Sequence, residues 1–132
     1  MKYVILVSHG EFANGLYTAV KMMTGQREDV LALGLIDGSD ADEYMDSFKE
    51  MVKDIQPEDT VILIADIRGG SPCINARNIL QEMGITNLLV LAGMNLPMAV
   101  TAVLMKDRID DLNELKEKVL EEGRASILEC VD

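Results

Sequence analysis

Val61-Ile62-Leu63-Ile64-Ala65-Asp66-Ile67-Arg68-Gly69-Gly70-Ser71-Pro72 is the stretch whose reading decides the fold. Val61 to Ala65 is short, wholly apolar and rich in β-branched residues, the pattern of a strand buried on both faces. Asp66 stands where that strand ends. Gly69-Gly70 permits a tight backbone path. Ser71 reads as a helix N-cap and Pro72 as the first helical residue. The stretch therefore runs strand, acid, glycine turn, helix start. The helix N-terminus, with free N–H groups and a positive dipole end, would lie beside a carboxylate at the C-terminal edge of a sheet. In open α/β sheets, sites are built at that edge.

The same grammar extends in both directions. Tyr3 to Val7 is a buried-strand pattern ending in Ser8-His9-Gly10, followed by Phe12, Leu16, Ala19, Val20 and Met23 at helical spacing up to Gly25. Val30 to Ile36 is the next strand, closed by Asp37-Gly38. Ser39 with Asp42 resembles a helix start, and Tyr44, Phe48, Met51, Val52 and Ile55 form an apolar face. Pro72 to Met83 is the third helix and Asn87 to Leu91 the fourth strand. Gly93-Met94-Asn95-Leu96-Pro97 is a second glycine turn, opening a short apolar helix over Met98 to Leu104. A last helix starts at Asp110 or Asp111 and stops at Gly123, and Ala125 to Val131 reads as a final strand. Such alternation predicts one α/β domain over residues 1–132, with an open, mainly parallel sheet of order 2-1-3-4 and helices on both faces.

Composition narrows the function classes. With 23 acidic and 12 basic residues the net charge is −11. That disfavours nucleic acid or an anionic membrane as partner and permits attraction to a basic protein. Cys73 and Cys130 make no disulfide framework, and one histidine among scattered carboxylates makes no ligand set, so neither metal nor cofactor is expected. No apolar run reaches the ~20 residues that span a bilayer, and the N-terminus lacks a signal-peptide pattern. The expected location is the cytoplasm.

His9, Asp37, Asp66 and Gly93 fall at strand ends. In a 2-1-3-4 sheet, strands one and three are neighbours whose connections leave to opposite faces, so His9 and Asp66 would face each other across a crevice. A carboxylate accepting the Nδ1–H would leave Nε2 bare and nucleophilic and would stabilise the imidazolium formed on attack. A tetrahedral anion on Nε2 would meet N–H groups at the starts of the first and third helices, and Ser71 could add a hydroxyl. These parts suit phosphoryl transfer to histidine. The plainer readings are a solvated histidine, a strand-end cap at Asp66 and a common loop-to-helix turn. The methionines read chiefly as core filler, with Met22, Met23 and Met98 as candidates for the crevice. Arg68 could pair with a phosphate or a partner carboxylate. Cys73 reads as structural rather than as a thiol of lowered pKa.

Three segments carry a resemblance. Val7-Ser8-His9-Gly10-Glu11-Phe12-Ala13-Asn14-Gly15-Leu16, Asp66-Ile67-Arg68-Gly69-Gly70-Ser71-Pro72 and Gly93-Met94-Asn95-Leu96-Pro97-Met98 resemble, in order, signatures of the mannose-class enzyme IIA proteins of the bacterial sugar phosphotransferase system. The resemblance implies that His9 is the phosphorylated residue and Asp66 its hydrogen-bonding partner. It implies that Ser71 and neighbouring backbone N–H groups hold the phosphoryl oxygens, which makes Gly10, Gly69, Gly70 and Ser71 the phosphoryl-binding candidates; Met22, Met23, Arg68, Asn95, Pro97 and Met98 are the candidate partner contacts. The donor would be phospho-HPr and the acceptor an enzyme IIB, with membrane enzymes IIC and IID downstream. It also implies a homodimer in which the final strand, Ala125 to Cys130, pairs antiparallel with the partner's sheet. The chain departs from the family pattern at Ile67-Arg68, where a threonine could contact the phosphoryl group and Ile67 cannot, and at Cys73-Ile74-Asn75-Ala76. Alternatives are a regulatory phosphoprotein or binding module of the same fold, a phosphocarrier for a dihydroxyacetone kinase, or a small hydrolase using His9 and Asp66.

Overall fold

The computed structural model describes residues 1–131. Its elements are β1 (Lys2–His9), α1 (Phe12–Thr24), β2 (Val30–Leu35), α2 (Ala41–Met51), β3 (Thr60–Ala65), α3 (Ser71–Glu82), β4 (Asn87–Ala92), α4 (Leu96–Met105) and α5 (Leu112–Ala125). The four strands are all parallel and ordered β2-β1-β3-β4. The two central strands are apolar at successive positions because each face is covered. Val4, Leu6, Ile62 and Ile64 point into one core with α1, α4 and α5. Ile5, Val7, Val61, Leu63 and Ala65 point into the other with α2 and α3. The period of two along each strand thus divides one hydrophobic run between two cores. Since β1 passes to α1 on one face and β3 to α3 on the other, a crevice opens between their C-terminal ends.

Four sequence expectations need correction. On α1 the inward side chains are Ala13 and Val20, with Leu16 and Tyr17 half-buried, whereas Phe12 and Met23 are exposed. That i, i+3, i+4, i+7 stripe lies beside the one expected. Gly70, not Ser71, is the N-cap of α3. Gly123 does not stop α5 but lies buried inside it. A Cβ there would sit 2.3 Å from Met98 Cγ, so the glycine lets α4 and α5 close together. Asn95 Nδ2 adds a hydrogen bond to the Gly123 carbonyl at 3.2 Å.

The fourth concerns Ala125 to Val131. Ala125 ends α5, Ser126 forms a turn with its hydroxyl bonded to the Glu122 carbonyl, and residues 127–131 form no strand. The helix runs on through the residues that a return loop would need, and a strand without a neighbour has no ladder to join. The expected antiparallel strand is thus absent from the sheet of a single chain among the described residues. Ile127, Leu128 and Val131 are instead exposed, and β4 is a free edge.

At the opposite end of the sheet from the crevice lies a buried ion cluster absent from the sequence reading. Lys106 Nζ, fully buried, contacts Asp29 Oδ2 at 2.7 Å and Asp107 Oδ2 at 2.9 Å. Arg27 grips Asp29 with two bonds of 2.9 Å. The Arg27 guanidinium, helped by Lys106 and opposed by burial, holds the Asp29 carboxyl well below the usual carboxylate range. A depressed carboxyl contributes stability that is present above its unfolded pKa of about 3.9 and lost as pH falls toward the folded value. Asp29→Asn is therefore expected to be less stable than wild type at pH 7. The difference between the two should shrink as urea titrations are carried from pH 5 down through pH 3. A constant difference across that window would show that Asp29 contributes nothing through its charge.

Candidate functional site

The site is built where β1 and β3 end. In register, Val7 lies beside Ala65, so the next residues of each strand, Ser8-His9 and Asp66, emerge side by side. The structure brings His9 and Asp66 into contact. His9 Nδ1 lies 2.8 Å from Asp66 Oδ2, and the His9 backbone N–H donates to the same oxygen at 2.9 Å. The Ile67 N–H donates to Oδ1, also at 2.9 Å. Burial alone would raise the Asp66 carboxyl, but the His9 amide and ring and the Ile67 amide outweigh it, and the pKa is lowered. An ionised carboxylate only accepts, so Nδ1 must be the donor. The neutral ring then carries its lone pair on Nε2. The imidazole is 48% exposed and Asp66 only 14%, so the acid is sheltered while the ring meets solvent.

Glycines shape the surroundings. Gly69 adopts φ +77° in the turn after Asp66, a conformation that side chains rarely take. Gly70 abuts the ring, since a Cβ at that position would lie 2.8 Å from His9 Cε1. Among the described residues, nothing accepts the N–H of Gly69 or Gly70. Gly10 differs from expectation. Its N–H is engaged by the Leu35 carbonyl at 2.7 Å, so its part is conformational, at φ +57°, rather than anion-binding through that donor. Likewise the Ala13 N–H at the start of α1 is taken by the buried Ser8 hydroxyl at 2.7 Å. Ser71 lies exposed at the first position of α3. The Tyr44 hydroxyl anchors this turn by donating to the Pro72 carbonyl at 2.9 Å.

The remaining candidates separate. Arg68 is exposed beside the turn. Asn95 caps α4, its side-chain oxygen accepting from the Met98 N–H at 3.0 Å, and Pro97 is half-buried in the first turn. The Gly93 segment is stitched to the acid turn, Gly93 N–H to the Asp66 carbonyl and Met94 N–H to the Ala65 carbonyl. Met98, only 4% exposed, is core and not a contact residue. Met22 and Met23 are exposed but stand about 15 Å along α1 from its start next to His9, at 1.5 Å per residue. The crevice therefore lacks all three methionines. Burial raises the Cys73 thiol, in keeping with a structural role. Two supports escaped the sequence reading. Ser8 caps α1 from five residues upstream, and Gly34 allows the Gly10 carbonyl to approach β2. A glycine inside a strand run was the one available signal for the latter.

Among the described residues, no helix is long and apolar enough to cross a membrane, and no three or more His, Cys, Asp or Glu side chains gather as a metal site. The molecule is a doubly wound α/β domain that presents one carboxylate-oriented imidazole at its switch point. Residues 3–120 match the family described as "PTS system fructose IIA component", and the chain belongs to that family. It is 28% identical over 116 residues to the PTS system fructose-specific EIIA component of Bacillus subtilis, covering 86% of this chain and 78% of that protein. It is 25% identical over 124 residues to the mannose-specific EIIAB component of Escherichia coli K12. That match takes in 94% of this chain but only 38% of the longer protein. The crystal structure of phosphotransferase system component EIIA from Streptococcus agalactiae is similar with a TM-score of 0.83 at 25% identity, covering 98% and 97% of the two chains.

Proposed function

We propose that this chain is a cytoplasmic phosphocarrier domain spanning residues 1–132, in which His9 takes a phosphoryl group from phospho-HPr and passes it to an enzyme IIB. The observation that carries the reading is the 2.8 Å contact between His9 Nδ1 and Asp66, on a ring that is 48% exposed. In the forward step the lone pair of His9 Nε2 attacks phosphorus. The P–N bond to the donor histidine breaks as the bond to Nε2 forms. The Nδ1–H stays on the ring, where the Asp66 carboxylate stabilises the developing positive charge. Gly69, Gly70 and Ser71 supply donors to the phosphoryl oxygens, and Arg68 and Pro97 stand on the face a partner would meet. The exposed 127–131 segment would pair along β4 of a second copy to make a homodimer.

The test is phosphoryl uptake by the purified chain. Incubation with phosphoenolpyruvate, enzyme I and HPr should add one phosphoryl group by intact mass, labile to acid and stable to base. Addition of an enzyme IIB should discharge it. A stable adduct that no IIB discharges would favour the regulatory phosphoprotein, and no adduct at all with active donors would overturn the phosphocarrier reading.

A further inference from the structure

The hydroxyl groups near His9 are held in different ways. Ser39 lines the small cavity beside His9 and Gly10, but its proton is donated to the Ile36 carbonyl at 3.0 Å. Ser71 is held from the opposite side: Asn75 Nδ2 donates to Ser71 Oγ at 3.1 Å. The two residues are four apart on α3, so they are neighbours on one helix face. A hydroxyl carries one proton and two lone pairs. Asn75 occupies a lone pair, and among the described residues the Ser71 proton has no acceptor. Ser71 directly follows Gly70, and a Cβ on Gly70 would lie 2.8 Å from His9 Cε1, the carbon between the two ring nitrogens. Ile67, exposed on the same turn, has no hydroxyl to contribute.

We infer that Asn75 is a positioning residue. By donating to Ser71 Oγ it holds that hydroxyl as a one-way donor, with its proton turned toward the group attached at His9 Nε2. No proton leaves Ser71. The gain is a preset hydrogen bond to charge that develops on the phosphoryl oxygens. The inference rests on the phosphohistidine reading above.

A double-mutant cycle tests it, with single-turnover phosphoryl uptake from phospho-HPr as the readout. Ser71→Ala should slow uptake by about tenfold or more, the scale of a hydrogen bond to a charged group. Asn75→Ala should slow it about threefold to fivefold, the scale of a neutral hydrogen bond. The double variant should be no slower than Ser71→Ala alone. Thermal midpoints should stay close to wild type, since Ser71 is exposed and Asn75 is half-exposed and outside both cores, so a merely structural role would not reproduce the coupling. Wild-type uptake with Asn75→Ala at the same rate overturns the inference alone. So does an Asn75→Ala effect of equal size with and without the Ser71 hydroxyl. A wild type that takes up no phosphoryl group overturns the inference and the phosphocarrier reading together.

Discussion

His9→Ala should take up no phosphoryl group, and Asp66→Asn should take it up about 10³–10⁴ times more slowly than wild type, while both remain folded. The first follows from loss of the nucleophile. The second needs the geometry. Three N–H groups converge on the Asp66 carboxylate, from the His9 backbone, the His9 ring and the Ile67 backbone. An asparagine side chain has one acceptor oxygen and one NH₂. Whichever way it sits, the NH₂ faces a donor. Where the NH₂ takes the place of Oδ2, the ring relieves the clash at its own side by moving its proton from Nδ1 to Nε2; Nδ1 then accepts from the amide, but Nε2 loses the lone pair that must attack phosphorus. In that arrangement the substitution preserves shape and abolishes the correct tautomer. Uptake kinetics by rapid quench, with circular dichroism as the control for folding, would check both. A mass gain in His9→Ala would identify another nucleophile. A wild-type rate in Asp66→Asn would remove Asp66 from the mechanism.

The legible parts of this molecule are those in which local pattern and final environment agree. Val61 to Ala65 of β3 is apolar at every position because both faces are covered, and that property is written in consecutive residues. The strand order follows from the alternation of runs and helices. The His9–Asp66 meeting then follows from two strands ending at the same level. The illegible parts are tertiary. Asp29 and Lys106 are 77 residues apart, and no local pattern links them. Gly123 carries the ordinary mark of a helix end, yet its missing Cβ serves Met98 across an interhelical contact. Ala125 to Val131 has strand composition, but strands exist only where another strand supplies hydrogen bonds, and this chain's sheet supplies none to it. Phe12 and Met23 fit a helical period as well as Ala13 and Tyr17 do. Apolar spacing defines a stripe without saying which of two adjacent stripes faces inward.

Gly34 is the position where local propensity and packing make opposite predictions, so its substitution separates them. It lies inside β2 in register with Ser8, with its φ outside the positive range that favours glycine. On local grounds valine or alanine should improve the strand, because glycine weakens strand interiors and β-branched residues suit them. The structure says the reverse. A Cβ at Gly34 would fall 1.9 Å from the carbonyl oxygen of Gly10 and 3.0 Å from its carbonyl carbon. Those are backbone atoms, fixed in turn by the Gly10 N–H bond to Leu35, and they have no rotamer through which to retreat. Insertion must part β2 from the His9-Gly10 turn. The expected cost of Gly34→Val is about 3 kcal/mol, the upper part of the range for overpacking. In a chain of this size that lowers the thermal midpoint by about 10 °C. Gly34→Ala should lose nearly as much, since the first carbon already makes the clash. Displacement of Gly10 also moves the residue next to His9, so phosphoryl uptake by the folded fraction should slow by at least tenfold, a penalty of about 1.4 kcal/mol in the barrier. Scanning calorimetry and uptake kinetics on the same preparations measure the two effects separately. A thermal midpoint in Gly34→Ala equal to or above wild type would mean that β2 and the His9 turn can separate freely, and the glycine would then have no part in holding the imidazole in place.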